Sequence, residues 1–124
     1  MARILIIDDD SLSRYTLARI LESEGHEVME AENGSAGMVA ARDESVDLVI
    51  SDIIMPQMEG IETIAALRKL DPDLPIIAIS GGGSLAEKVP LQHARVLGAT
   101  HALPKPFGPK QILVLVRDSL NSTG

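Results

Sequence analysis

Residues 3–10 read Arg-Ile-Leu-Ile-Ile-Asp-Asp-Asp. The run Ile4-Leu5-Ile6-Ile7 is almost continuous in β-branched residues, the mark of a strand buried on both faces. Asp8, Asp9 and Asp10 stop it abruptly. The next stretch has helical spacing: Ser11 is placed to cap a helix through about Glu24, with Leu17, Ile20 and Leu21 on one stripe. Gly25 follows where a left-handed residue closes such a helix. The chain thus opens as a buried strand, an acidic turn and an amphipathic helix.

The same alternation continues to the end. His26–Ala31 predicts a weaker, more polar strand at an edge, and Asn33-Gly34-Ser35 opens a second helix to about Arg42, weakened by Gly37 in its interior. Val46–Ser51 predicts a third strand, broken off by Met55-Pro56. Glu59–Leu70 predicts a third helix with Ile61, Ile64 and Leu67 inward, ended by Asp71-Pro72-Asp73. Pro75–Ile79 is a fourth buried strand, followed by Gly81-Gly82-Gly83. Pro90 suits only the first turn of a helix, so a fourth helix is expected from about Val89 to Leu97. Thr100–Leu103 is a fifth strand. Pro109 opens a last helix with Ile112, Leu113, Val116 and Leu120 toward the core. Strands and helices that alternate through short loops build a parallel sheet with helices on both faces, joined by right-handed crossovers. No internal repeat, low-complexity stretch or linker divides the 124 residues, which read as one domain, 1–124.

Composition narrows the function. Hydrophobic residues make up 45% and charged residues 23%, the mix of a compact soluble chain. Cysteine is absent, which removes a thiolate zinc site, a disulfide frame and a cysteine nucleophile. The longest apolar run, Ile112–Val116, is far below the ~20 residues that cross a bilayer. The acids at 8–10 interrupt anything like a signal peptide, so a cytoplasmic address is expected. Net charge is −7, and the acids concentrate in the first 60 residues, 13 against 4 basic groups. With only Tyr15 and Phe107 as aromatics, the chain has neither the basic stripe nor the stacking platforms of a nucleic-acid binder.

The polar residues that follow the apolar runs carry the chemistry. In a doubly wound sheet, ligands bind beyond the carboxyl ends of the strands. The first strand ends in Asp8-Asp9-Asp10, the third in Asp52, the fourth in Ser80 and the fifth in Lys105. Each has an ordinary explanation alone: a helix cap, a turn former, a surface lysine. Jointly they mark the same end of four strands, which the sheet itself does not require. Carboxylates gathered there repel one another until a proton or a cation relieves them. Oxygen ligands without histidine or cysteine favour a hard ion, Mg²⁺ before zinc or copper. A carboxylate beside such an ion can attack a phosphoryl group, with an ammonium and a hydroxyl to steady the transferring oxygens.

The segments Ile4-Leu5-Ile6-Ile7-Asp8-Asp9, Asp52-Ile53-Ile54-Met55-Pro56 with Gly60, Ser80-Gly81 and Lys105-Pro106-Phe107 together resemble the receiver domain of bacterial two-component response regulators, over almost the whole chain. The resemblance implies a flavodoxin-like (βα)5 fold, a doubly wound five-stranded parallel sheet of order 2-1-3-4-5. It implies that Asp52 takes a phosphoryl group from a sensor histidine kinase or a histidine phosphotransfer protein. Asp9 and Asp52 would bind Mg²⁺ with the backbone carbonyl of Ile54, and Asp8 would assist through water. Lys105 would pair with the phosphoryl group, Ser80 would swing to hydrogen-bond it, and the amides of Ile54 and Gly81 would donate to it. A cis bond between Lys105 and Pro106 is a further family expectation. Output would pass to an unknown downstream protein through the face of the fourth helix, fifth strand and fifth helix. A stand-alone receiver of this kind assists its own phosphorylation and dephosphorylation but turns over no separate substrate.

Several positions depart from the commonest family pattern. An aromatic is usual three residues before the lysine; here the position is Ala102, with His101 beside it as the only substitute. Pro104 removes a strand donor, tolerable on an edge strand. The stretch Gly81–Val89 runs about three residues long and begins with three glycines, which reads as a segment ordered when a phosphorylated Asp52 draws Ser80 inward. Ile54 and Gly82 replace the polar neighbours of the attacking water, which predicts a long-lived acyl phosphate. Two rivals remain. A phosphatase of the haloacid dehalogenase type wants a second acid two residues after its nucleophile, where this chain has Ile54. A pseudo-receiver that binds a partner without phosphorylation is kept open by Ala102.

Overall fold

Strand β1 (Arg3–Ile7) divides its apolar run between two cores. Ile4 and Ile6 join one buried cluster and Leu5 and Ile7 the other, as the two-residue period of a strand requires. The computed structural model describes residues 2–52, 59–81, 98–105 and 107–121. After β1 come α1 (Ser11–Ser23), β2 (Glu27–Ala31), α2 (Gly34–Asp43), β3 (Leu48–Asp52), α3 (Glu59–Leu70), β4 (Ile76–Gly81), β5 (His101–Lys105) and α4 (Pro109–Asn121). The strands form one parallel sheet in the order β2-β1-β3-β4-β5. That is the flavodoxin-like order the resemblance implied, with the reversal point between β1 and β3.

Both faces are covered. On one side Ile64 and Leu67 of α3, with Met38 and Ala41 of α2, pack against Leu5, Ile7, Val49, Ile76 and Ala78. On the other, Leu17 and Leu21 of α1 and Ile112 and Val116 of α4 pack against Ile4, Ile6, Ile50, Ile77 and Ile79. A sheet covered twice needs apolar residues at both parities of each strand, which is why the runs are continuous.

Among the described residues the element reading holds, with shifted boundaries. β4 and β5 each extend two residues past the apolar run, because the ladder continues through Ser80↔Pro104 and Gly81↔Lys105. Pro104 sits exposed on β5, an edge strand of the sheet, where a proline can interrupt at most one ladder. The cap of α1 is Asp10, not Ser11: the Leu12 amide donates to Asp10 Oδ1 at 3.1 Å and Ser13 Oγ donates to Asp10 Oδ2 at 2.9 Å. Asn33 caps α2 by accepting from the Ala36 amide at 2.8 Å, and Gly25 takes φ +86° after α1. Gly37 has a packing reason. A Cβ there would lie 2.8 Å from Ile7 Cγ1 and closer still to Ile7 Cδ1, so glycine lets α2 approach β1 just before the acidic turn. The expected helix from Val89, the triple-glycine segment beyond Gly81, Ile54, and Pro106 with its expected cis bond lie outside the described residues.

Candidate functional site

The register of the sheet brings the polar residues to one rim. Ile7 of β1 lies beside Ser51 of β3, so the next residues, Asp8 after β1 and Asp52 at the end of β3, lie side by side. Asp52 in turn lies beside Ile79, one residue before Ser80. Ser80 and Gly81 lie beside Pro104 and Lys105. Asp8, Asp52, Ser80 and Lys105 therefore sit at the carboxyl ends of four adjacent strands, and Asp9 follows in the turn after β1.

The carboxylates of Asp8, Asp9 and Asp52 converge. One oxygen from each lies within 4.8 Å of the others, although 44 residues of chain separate Asp8 from Asp52. Asp8 and Asp52 are buried, 5% and 7% exposed, while Asp9 faces solvent. Two carboxylates at the mouth of a sheet and one open to water form a half-closed pocket of hard oxygen donors. Among the described residues this is the one group of acids or histidines that could hold a metal ion. An all-oxygen donor set suits Mg²⁺ and offers zinc or copper no preferred ligand.

Local bonds explain why the turn after β1 has this shape. The Asp8 amide donates to the Ala31 carbonyl at 3.1 Å, carrying the β1–β2 ladder one residue past the strand. The Asp10 amide donates to Asp8 Oδ1 at 2.8 Å, a short loop closed by the side chain. Asp10 itself turns away to cap α1, so the run of three acids splits into two site acids and one structural one. Arg14, in the first turn of α1, donates from Nη1 to the Asp8 carbonyl at 2.6 Å and from Nε to Glu30 Oε1 at 3.2 Å. Reading the sequence did not single out Arg14. The one signal it carries is a basic residue one helical turn past the cap.

Beside the acids lies a cleft of about 360 Å³ lined by Asp8, Leu12, Ser13, Thr16, Ile79 and Phe107, among others. Leu12 stands exposed on its α1 side, 70%; Tyr15, also on α1 and 57% exposed, is outside the cleft lining, with the Arg19 guanidinium 5.7 Å from its ring. Ala102 pairs with Ala78 in the ladder, and His101 beside it is half-buried. Phe107 of the family motif packs against the core that α1 and α4 share.

The fold and the rim define a class: a doubly wound α/β domain with a carboxylate pocket at its switch point. Comparison with known proteins carries this further. The family profile of the response regulator receiver domain matches residues 4–117. Protein PilH of Pseudomonas aeruginosa is 37% identical over 118 residues, 91% of this chain and 93% of PilH. The DNA-binding transcriptional regulator NtrC of Azospirillum brasilense is 38% identical over 121 residues, 98% of this chain. The chain spans about a quarter of NtrC (24%) and about half of the response regulator MprA of Mycolicibacterium vanbaalenii (51%). A CheY-like receiver domain protein from Methanospirillum hungatei has 32% identity and a TM-score of 0.89, over 99% of this chain and 96% of that one. This chain belongs to the response regulator receiver domain family of two-component signalling. No helix among the described residues is long and apolar enough to cross a membrane.

Proposed function

We propose that the chain is the phosphoacceptor of a two-component relay and that Asp52 is the residue modified. What supports this reading above all is the convergence of Asp8, Asp9 and Asp52 within 4.8 Å at the rim that Ser80 and Lys105 also reach through their strands. In the reaction a carboxylate oxygen of Asp52 attacks phosphorus and the P–N bond of a phosphohistidine breaks. The electron pair stays on the departing imidazole, and an acyl phosphate is left on Asp52. The donor is a sensor histidine kinase or histidine phosphotransfer protein, and exposed Leu12 in the cleft beside the acids offers it an apolar contact.

Asp9 and Asp52, with the backbone carbonyl of Ile54, are the residues to hold Mg²⁺, and Asp8 assists through water. Bound there, Mg²⁺ supplies positive charge to offset the phosphoryl oxygens. The protein's own groups do the rest. Lys105 neutralises a phosphoryl oxygen, the Ser80 hydroxyl hydrogen-bonds another, and the amides of Ile54 and Gly81 complete the set. The chain turns over no separate substrate, and its output is contact with an unidentified protein partner. Apolar Ile54 and side-chain-free Gly82 border the attacking water poorly, so the acyl phosphate outlasts a half-life of seconds at neutral pH.

Incubation with acetyl phosphate and Mg²⁺, followed by intact mass, tests the reading. An added phosphate on the wild type that is absent from Asp52→Asn supports it. Donor turnover without accumulation points to a phosphatase. No added mass in either protein favours the phosphorylation-independent adaptor, the reading that Ala102 keeps open.

A further inference from the structure

Arg14 belongs to none of the roles above, yet its side chain is tied directly to the acidic turn. It is only 16% exposed and makes two bonds at once, Nη1 to the Asp8 carbonyl at 2.6 Å and Nε to Glu30 Oε1 at 3.2 Å. Its own amide donates to the Asp10 carbonyl at 3.0 Å, the first helical bond of α1. Glu30 sits on edge strand β2, beside Ile6 of β1. The guanidinium therefore bridges three elements: the start of α1, strand β2 and the peptide joining Asp8 to Asp9. We propose that Arg14 is a positioning residue, bracing the Asp8–Asp9 peptide from β2 so that the Asp9 carboxylate is held against Asp8 and Asp52 for a divalent cation. The inference rests on the reading of this rim as a Mg²⁺ site.

A peptide unit is planar, so the direction of the Asp8 carbonyl sets the direction in which the Asp9 Cα leaves. Without the brace, rotation of that peptide swings the exposed Asp9 carboxylate away from the other two, the direction in which their repulsion already drives it. Asp8 is then held at its amide by Ala31, at Oδ1 by the Asp10 amide and at its carbonyl by Arg14. The first bond fixes Asp8 itself, the second closes a loop around the Asp8–Asp9 peptide, and the third anchors the carbonyl of that peptide to α1 and, through Glu30, to β2. The Glu30 carboxylate offsets the guanidinium charge, so the brace works through geometry more than through charge. A lysine keeps the charge but lacks the rigid fork that reaches both partners.

The test is Mg²⁺ binding followed by ¹H–¹⁵N NMR titration, with amide exchange of Asp9 and Asp10 measured separately in EDTA. Arg14→Lys and Arg14→Ala are expected to weaken Mg²⁺ binding about tenfold, the usual effect of removing a residue that orients a metal ligand. Both should also speed exchange at Asp9 and Asp10 without any metal. With acetyl phosphate, the Mg²⁺ concentration for half-maximal rate should rise while the rate at saturating Mg²⁺ stays near wild type. Arg3→Ala, which loses exposed ion pairs with Glu27 at 2.9 Å and Glu44 at 3.9 Å at the amino ends of β1 and β2, away from the acidic rim, controls for general loss of stability and should leave Mg²⁺ affinity unchanged. If Arg14→Ala does not fold, Arg14→Lys and Glu30→Gln carry the test. Wild-type affinity in Arg14→Lys, or an equal loss in Arg3→Ala, overturns the brace alone. A wild-type protein that binds no Mg²⁺ overturns the metal reading, and the exchange rates in EDTA still decide whether Arg14 braces the turn.

Discussion

Asp52→Asn removes one charge from the pocket while keeping its shape, and the structure sets what that does to stability. The three carboxylates lie within 4.8 Å of one another, and two of them are nearly closed to water. At 4.8 Å and an effective dielectric of about 20, one pair repels by about 3.5 kcal/mol, whereas a pair facing bulk water repels by about 1 kcal/mol. Other interactions of Asp8 and Asp52 offset part of this. The net relief in the metal-free protein is then about 2 kcal/mol, since the Asp8–Asp52 pair is buried and the pairs with Asp9 are exposed. For a domain of 124 residues this raises Tm by about 6–10 °C. Urea and thermal unfolding in EDTA should thus find Asp52→Asn more stable than wild type. Adding Mg²⁺ at a hundred times its dissociation constant stabilises the wild type by about 2.7 kcal/mol and the variant by much less, closing or reversing the gap. A variant no more stable than wild type in EDTA would refute the repulsion argument. An equal Mg²⁺ shift in both proteins would remove the cation from this rim.

Gly37→Ala trades helix propensity against the clash with buried Ile7. The gain is ~1 kcal/mol and the overpacking cost ~1–3 kcal/mol, so urea unfolding should show a net loss of up to about 2 kcal/mol. Shortening the neighbour with Ile7→Val should couple favourably with it in a double-mutant cycle, and strict additivity would argue against the contact. Asp10→Ala removes the cap of α1 and should cost about 1 kcal/mol in unfolding free energy while leaving Mg²⁺ affinity unchanged, because Asp10 points to Leu12 and Ser13. Arg68→Ala strips donors from the carbonyls of Gly98, Asp71 and Pro72, which accept at 2.6, 3.2 and 2.8 Å from its guanidinium. It should destabilise by about 1–3 kcal/mol, with faster exchange at the Thr100 amide, which donates to the Ile76 carbonyl at 2.7 Å. Unchanged Thr100 exchange would show that Arg68 does not hold the start of β5.

Some of the site was legible without coordinates, for a definite reason. Asp8, Asp52, Ser80 and Lys105 each follow an apolar run directly, and in a parallel sheet all strands end their runs at the same rim. Chain order alone therefore predicted that they share an edge. It did not separate the three acids after β1. Whether an aspartate caps a helix or faces a pocket depends on one or two backbone angles, and Asp10 and Asp8 look alike in the sequence. Arg14 was missed because its partners lie six and sixteen residues away, on different elements. No local pattern records that α1 sets its first turn over the end of β1. Gly37 was read only as a weak point in a helix, since the Ile7 side chain that requires it lies thirty residues earlier.

For the described elements, the sequence by itself determined their order and kind, because runs such as Ile4–Ile7 and Ile76–Ile79 suit a sheet covered on both faces. It also determined the class of chemistry, since a chain without cysteine, with its acids at strand ends, has only hard oxygen donors to offer there. The strand order came from family resemblance, not from the residues, because hydrophobic period says which face is buried but not which strand is the neighbour. Only the tertiary structure brought Asp8, Asp9 and Asp52 together within 4.8 Å and set Arg14 and Glu30 behind them. Distances of that kind depend on the register of separate strands and the seating of a helix, and both are products of packing.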